Sequence, residues 1–145
     1  MTDFPTVYLE DLTVGQTLER TFIASDAAIR AFAEVSQDHN PVHMDETYAA
    51  ATAFKGRIAH GALLGAWISA TIAGGLPGTG TIYVSQALNF KRAVKLDDEV
   101  TIILTVKEID LKTAHVTIGT TAKVRNKTYA DGTAEVIAPR KPVDA

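Results

Sequence analysis

Asp38 and His43 are the residues whose types and spacing most directly suggest chemistry. They lie five residues apart in the segment Asp38-His39-Asn40-Pro41-Val42-His43. Asn40-Pro41 is a pair typical of turns, and proline disfavours a helical conformation at the residue before it. A carboxylate and an imidazole on such a loop can handle one water molecule, with one group removing a proton and one returning a proton to carbon. The segment therefore predicts an acid/base pair.

A second segment, Ile58-Ala59-His60-Gly61, favours catalysis over the alternative in which Asp38 only caps a helix or a turn. It leads into an uncharged stretch, and the first turn of a helix carries free N–H groups at the positive end of the helix dipole. Gly61 has no side chain, so a substrate carbonyl can approach its N–H. The sequence predicts an oxyanion hole there. Ser69, two turns later, either faces this site or bonds to a backbone carbonyl of its own helix.

The elements that position these groups follow from hydrophobic periodicity. Strand-forming residues lie near 15–23. Helical spacing predicts a helix over 26–35 that ends before Pro41, and a short helix over 45–51. Residues 61–73 carry no charge on any face. Such a helix is expected to be buried all round.

From residue 79 onward apolar and polar residues alternate, which predicts antiparallel strands near 80–92, 99–109, 113–125 and 128–138, arranged as a meander. Together with the first strand they form a sheet against the apolar helix, and hence a single α+β domain over 1–145. One sheet around one helix leaves an edge and an apolar face. We therefore expect a homodimer, with higher assembly left open.

Composition excludes several classes of function. The 145 residues are 46% hydrophobic and 21% charged, which is typical of a folded globular chain. The net charge of −3 argues against nonspecific nucleic-acid binding. The absence of cysteine excludes disulfides and thiolate sites, and histidines without a carboxylate cluster predict no metal site. No signal peptide is visible and the uncharged stretch is too short to span a bilayer, so we expect a cytoplasmic protein without membrane contact.

The motif Asp38-His39-Asn40-Pro41-Val42-His43, followed by His60-Gly61, resembles the hydratase motif of the MaoC-like (R)-specific enoyl-CoA hydratases, which have the hot-dog fold. The resemblance extends over residues 10–138. The chain is similar to the short hydratases that supply (R)-3-hydroxyacyl-CoA to polyhydroxyalkanoate synthesis. It departs from the family at Arg92-Ala93-Val94, where a proline often precedes the valine, and this bears on chain-length preference.

The resemblance implies a curved antiparallel sheet wrapped around one long buried helix, and dimers formed sheet to sheet. It also implies (R)-specific hydration of trans-2-enoyl-CoA, with Asp38 and His43 as the catalytic pair. Gly61 would polarise the thioester carbonyl, Ser69 would line the site and Asn40 would support the loop. No cofactor is expected, because the thioester itself makes C3 electrophilic.

The remaining predictions concern the two ends of the substrate. We expect the acyl channel to include Ala66 and Ile72, although most apolar residues of the helix serve the core. The CoA phosphates require cations, for which solvated surface charge is the alternative interpretation. The candidates near the site in sequence are Lys55, Arg57, Lys91, Arg92 and Lys95.

Three other functions stay open. Dehydratases of 3-hydroxyacyl-ACP share the fold and run the reverse reaction on another carrier. Acyl-CoA thioesterases share it too, but attack C1 and typically lack this motif. A noncatalytic acyl-CoA-binding module would keep Gly61 without needing both Asp38 and His43. The joint presence of these two residues favours catalysis, which the fold alone cannot decide.

Overall fold

Residues 5–143, which the computed structural model describes, form one antiparallel sheet and a set of helices. The helices are α1 (Asp26–Ser36), α2 (Pro41–Met44), α3 (Glu46–Ala50) and α4 (Gly61–Ala73), preceded by a short 3-10 turn at Leu9–Asp11. The strands are β1 (Thr17–Ile23), β2 (Ile82–Phe90), β3 (Glu99–Ile109), β4 (His115–Val124) and β5 (Lys127–Ile137). In this part of the chain no helix has the length and apolar character that a membrane crossing requires.

Helix α1 begins and ends at local signals in the sequence. The Ser25 hydroxyl accepts a hydrogen bond from the Ala28 N–H at 3.1 Å, which satisfies one free donor of the first turn. Ile29 and Ala33 are buried at helical spacing. Gln37 then adopts φ 63°, a left-handed conformation that ends the helix. The chain leaves α1 in a direction set by this residue, immediately before Asp38.

The strand order is β1-β3-β4-β5-β2, so the expectation of a four-strand meander is wrong. Only β3, β4 and β5 are neighbours in chain order. β1 pairs with β3 along the whole of Thr17–Ile23, which leaves the outer edge of β5 for β2. Alternating polarity predicts strands well, but it carries no information about which edge a strand joins.

The core lies between the sheet and α4. The inward residues of β3 are fully buried, and those of β4 continue the same layer. Leu64, Ile68 and Ile72 of α4 pack into this layer and form one cluster with it. The predicted alternation is therefore what builds the core, and the α+β class expected from the sequence is observed. The prediction of a single domain over 1–145 stays a prediction.

The open face of α4 corrects a second expectation. Ala62, Ala66 and Ala73 are exposed, so within one chain the helix is not buried all round. The sheet covers one side of a helix only, and the opposite side of α4 is built from small residues. An uncharged helix therefore needs something else to cover its second face.

Gly132 in β5 permits the close approach of β2, and this can be measured. A Cβ at Gly132 would lie 1.9 Å from the Ala87 carbonyl oxygen, a backbone atom that cannot yield without moving the strand. At Gly119 the nearest atom to such a Cβ is the end of the Lys107 side chain, at 2.7 Å. Gly132→Ala should lower the free energy of unfolding by about 2 kcal/mol or more, and Gly119→Ala by less than about 1 kcal/mol.

Urea unfolding of the two variants and the wild type checks this prediction. The urea concentration at the unfolding midpoint should fall, while the dependence of the free energy on urea concentration (the m-value) stays constant. Equal losses for the two glycines would contradict the close packing of β2 on β5.

Candidate active site

The loop that carries Asp38 is held by short local hydrogen bonds. The Asp38 N–H donates to the Ser36 hydroxyl at 3.2 Å, and the Asn40 N–H donates to Asp38 Oδ1 at 3.1 Å. Asn40 in turn caps α2, because its Oδ1 accepts from the Val42 N–H at 3.2 Å. Pro41 occupies the first turn of α2, where a missing N–H costs nothing. The predicted turn is thus a short helix, which Asn40 caps.

His43 lies at the end of α2 and is buried, with 8% of its surface exposed. Its Nδ1 is 2.8 Å from the Ile58 carbonyl oxygen. Because a carbonyl only accepts, Nδ1 carries the hydrogen and Nε2 has the free lone pair. The His43 backbone carbonyl accepts from Arg57 Nε at 2.6 Å. Both the ring and the backbone of His43 are therefore fixed by the segment before α4.

The structure brings Asp38 and His43 together, with His60 as a third member. The ligand atoms offered by these three side chains all lie within 4.8 Å of one another, and Asp38 is exposed to solvent. Two hydrogen bonds of about 2.8 Å meeting at a tetrahedral water span roughly 4.6 Å. The carboxylate and the imidazole therefore lie no farther apart than about the span of one bridging water molecule.

A cavity of about 400 Å³ opens beside this pair. His43, His60 and Gly61 form its polar side, and Gly61 is the first residue of α4. A Cβ at Gly61 would lie 3.1 Å from the Phe90 ring, so the glycine also makes room for this aromatic wall. The N-terminus of α4 and the imidazole of His43 thus face one space.

The apolar walls of the cavity were missed at the sequence level. They include Phe54, Leu64, Phe90 and Val94. These residues come from three separate segments, and nothing in the local pattern distinguishes them from ordinary core or surface residues. The sequence assigned no role to the His60 side chain, yet its ring stacks on that of His43 with centroids 3.9 Å apart.

The residues predicted for the acyl channel lie elsewhere within this chain. Ala66 is exposed on the open face of α4. Ile72 lines a different cavity of about 200 Å³, together with Ser69 and Tyr83. Within one chain, Ala66, Ser69 and Ile72 therefore do not line the cavity beside His43. Their assignment to the acyl channel and to the site stays a prediction. Because α4 is apolar on all sides, its sequence does not show which of its residues line the cavity.

Arg57 is not available to a phosphate, which corrects its prediction as a CoA contact. It is 7% exposed, and besides its bond to His43 it donates from Nη1 to Asp26 Oδ1 at 2.7 Å. This hydrogen bond is the main reason that the pKa of the Asp26 carboxyl lies below its ordinary value, with Arg30 as the second cause. The short sequence distance from Arg57 to the site reflects a structural role.

The other predicted cations differ in their positions. Lys91 and Arg92 line the main cavity, and Lys91 forms an ion pair with Asp131 at 3.1 Å. Among residues 5–143 the Arg92 guanidinium has no hydrogen-bond or ion-pair partner. Lys55 is exposed beside the cavity wall but not on it, and Lys95 donates to the Phe54 carbonyl.

The cluster of Asp38, His43 and His60 has a composition that a metal ion accepts, so its geometry matters. The two imidazole rings are stacked with an interplanar angle of 28°. A metal lies in the plane of each imidazole that binds it, about 2 Å from the nitrogen. Two rings stacked in this way cannot both direct a lone pair at one ion so close to them. The arrangement fits an acid/base pair better than a metal centre.

Comparison with known proteins points to one family. The MaoC like domain family matches residues 10–128. An (R)-specific enoyl-CoA hydratase of Rhodospirillum rubrum is 42% identical over 134 residues, which is 92% of this chain and 93% of the relative. The unliganded (R)-hydratase of Pseudomonas aeruginosa superposes with a TM-score of 0.91 at 42% identity, covering 98% of both chains. The (R)-hydratase of Aeromonas caviae, described as involved in PHA biosynthesis, gives 0.87 at 36% identity, covering 90% of this chain and 99% of its own. These neighbours confirm the hot-dog fold.

Burial of His43 leads to a testable charge state. Desolvation is the main cause that lowers the pKa of His43 below its ordinary 6.5, against the smaller raising effect of the Ile58 hydrogen bond. Between the lowered value and 6.5 the unfolded chain binds more protons than the folded one, so stability rises with pH across this window and is lost as pH falls through it. NMR titration should place the His43 midpoint below 6.5, and His43→Gln should remove this part of the pH dependence of stability. A midpoint at or above 6.5 would contradict it.

Proposed function

The chain belongs to the MaoC-like domain family, and we propose that it hydrates trans-2-enoyl-CoA to (R)-3-hydroxyacyl-CoA. It is a hydro-lyase. The (R)-specific hydratases to which it is similar match it over nearly their whole length. The observation that carries this function is the pairing of the Asp38 carboxylate with the neutral imidazole of His43 at water-bridging distance, beside the Gly61 N–H. The proposal includes no metal or redox cofactor.

The reaction begins with the thioester carbonyl at the start of α4. The Gly61 N–H donates to this oxygen and stabilises the negative charge that develops as C3 is attacked, an effect worth about 3 kcal/mol for one preorganised donor. The stabilisation is greater in the transition state than in the ground state, because charge builds on the oxygen during the attack.

The water is oriented by its two acceptors. The carboxylate of Asp38 and Nε2 of neutral His43 both accept hydrogen bonds, so the bound water donates both hydrogens and turns a lone pair toward C3. Its oxygen forms the new bond to C3 while one O–H bond breaks, and the pair returns that proton to C2. Addition of both atoms from one side gives syn hydration.

The carrier end of the substrate is assigned by charge. Arg92 and Lys91 stand at the cavity, and Arg92 has a free guanidinium within the described chain. Guanidinium groups suit phosphates because they bind them with two parallel hydrogen bonds. We assign Arg92 and Lys91 to the CoA phosphates, with Lys55 further out. As a cytoplasmic enzyme the protein would supply (R)-3-hydroxyacyl-CoA for polyhydroxyalkanoate synthesis or work in β-oxidation.

Loss of either member of the pair should abolish turnover. Asp38→Asn and His43→Gln keep the size of each side chain but remove its proton acceptor, so kcat for crotonyl-CoA hydration should fall by about 10³-fold or more in both. The loss of enoyl-thioester absorbance measures the rate, and an (R)-specific dehydrogenase identifies the product.

Arg92→Ala should raise KM for the CoA substrate with little change in kcat.

His39→Gln is the matched control, since His39 lies in the same loop and is exposed. It should keep wild-type activity. Release of free CoA without hydration would identify a thioesterase, and turnover of crotonyl-ACP but not crotonyl-CoA would identify an ACP dehydratase. Either result would contradict the proposal. In a host that makes polyhydroxyalkanoate, wild type but not Asp38→Asn should increase the polymer.

We also propose that the active form is a homodimer. The outer edge of β2 has no partner strand in the described chain, and its exposed apolar residues include Ile82, Val84 and Phe90. The open face of α4, with Ala62 and Ala66, is exposed as well. A second copy of the chain can cover both at once, because an antiparallel edge pairs with itself about a two-fold axis.

The dimer can be tested by sedimentation equilibrium, which should give about 31 kDa, twice the 15.5 kDa of one chain. Val84→Lys places a charge on the open edge and should shift the protein toward the monomer. Leu111→Lys, at a still more exposed apolar residue in the β3–β4 turn, is the control and should leave the dimer intact. A wild-type monomer at micromolar concentration would contradict this proposal.

A further inference from the structure

His60 contacts both members of the acid/base pair, although the proposed chemistry does not use its side chain. It is 1% exposed. Its Nε2 lies 2.9 Å from the Asp38 backbone carbonyl, and its ring stacks on His43 with an interplanar angle of 28°. Although it occupies the N-cap position of α4, its side chain makes no capping hydrogen bond there. The ring is therefore directed away from its own helix and toward the pair.

The hydrogen bonds of His60 define its tautomer. A carbonyl can only accept, so Nε2 carries the hydrogen and donates it to Asp38. Nδ1 is buried without a hydrogen-bond partner among the described residues. The other tautomer would bury an unsatisfied N–H there and lose the bond to Asp38. Phe32 meets the ring edge-on with centroids 4.9 Å apart, so the ring is held by aromatic contacts as well.

Within residues 5–143 this is the one hydrogen bond of Asp38 that reaches the start of α4 directly. The two other hydrogen bonds of Asp38 within residues 5–143 reach Ser36 and Asn40, each two residues away in the same loop. Such local bonds shape the loop but do not fix where it stands. The bond from His60 spans 22 residues and ties the loop to the start of α4, next to Gly61.

We propose that His60 is a positioning residue, which holds Asp38 and His43 at water-bridging distance and in register with the Gly61 N–H. The inference rests on the proposed hydratase function. One rigid ring links the proton-handling pair to the oxyanion donor, because His60 and Gly61 are adjacent in the chain. A displacement of about 1 Å in such an arrangement can reduce the rate about 100-fold.

Two substitutions separate the hydrogen bond from the ring. His60→Phe keeps the aromatic stack but removes the donor, so kcat should fall about 10- to 100-fold while KM changes by less than about threefold. His60→Gln places an amide N–H near the position of Nε2 and should recover activity to within about fivefold of wild type. His115→Gln, at an exposed histidine of β4, is the control. Wild-type kcat in His60→Phe, or no recovery in His60→Gln, would overturn the proposal.

A double-mutant cycle tests whether His60 acts through Asp38. If it does, adding His60→Phe to Asp38→Asn should lower kcat by only a few-fold, much less than in the wild-type background. Losses that multiply in full would show that His60 acts independently and would overturn the proposal.

An NMR measurement decides the positioning without any activity. Imidazole nitrogen shifts of the wild type should show Nε2–H on His60 and Nδ1–H on His43, and His60→Phe should shift the Asp38 amide while the strand amides stay in place. Nδ1–H on His60, or an unmoved Asp38 amide, would overturn the inference. A wild type that hydrates no enoyl thioester would instead refute the proposed function. If His60→Phe does not fold, His60→Gln and the wild-type tautomers decide the question.

Discussion

The geometry of the site depends on the hydrogen bonds that residues 57–60 donate to backbone carbonyls of residues 38–43. His60 bonds to the carbonyl of Asp38 and Arg57 to that of His43. The Ile58 N–H donates to the Val42 carbonyl at 3.2 Å. Residues 57–60 are themselves fixed, because the Ala59 N–H donates to the Val94 carbonyl at 2.8 Å and because α4 begins directly after them. The Asp38 loop and the short helix α2 thus inherit the rigidity of the core.

The two members of the pair stand in different environments, and this difference suits their task. His43 is buried against the segment before α4 and is kept neutral, with its acceptor nitrogen free. Asp38 is exposed to solvent. Desolvation disfavours charge on an imidazole, whereas solvent keeps a carboxylate charged. Two acceptors of different character therefore flank one water, an arrangement that motif spacing alone does not disclose.

Sequence reasoning succeeded where local physics decides and failed where tertiary contacts decide. The α4 helix, the five strands and the meeting of Asp38 with His43 follow from periodicity and from a short, rigid motif. The edge that β2 joins depends on where β1 pairs, which lies outside any local window. Arg57 was read as a surface cation because its burial results from contacts with Asp26 and His43, 31 and 14 residues away. The Asn40 cap and Pro41 did carry the signal for α2, which was read as a turn.

Stability and chemistry are therefore carried by different parts of this small fold. The buried residues of β3, β4 and α4 form a closed layer that contains none of the proton-handling groups. Arg57 and His60 set the geometry of the pair by donating hydrogen bonds to the backbone carbonyls of His43 and Asp38. A replacement at either position must therefore supply the same N–H donor as well as fill the same volume. Arg57 makes this clear, since one buried guanidinium fixes the His43 backbone and the start of α1 together. A substitution of Arg57 or His60 alters the position of the reacting water by displacing the loop that carries Asp38 and His43. A substitution in the strands affects the site only if it first disrupts the packing of the core.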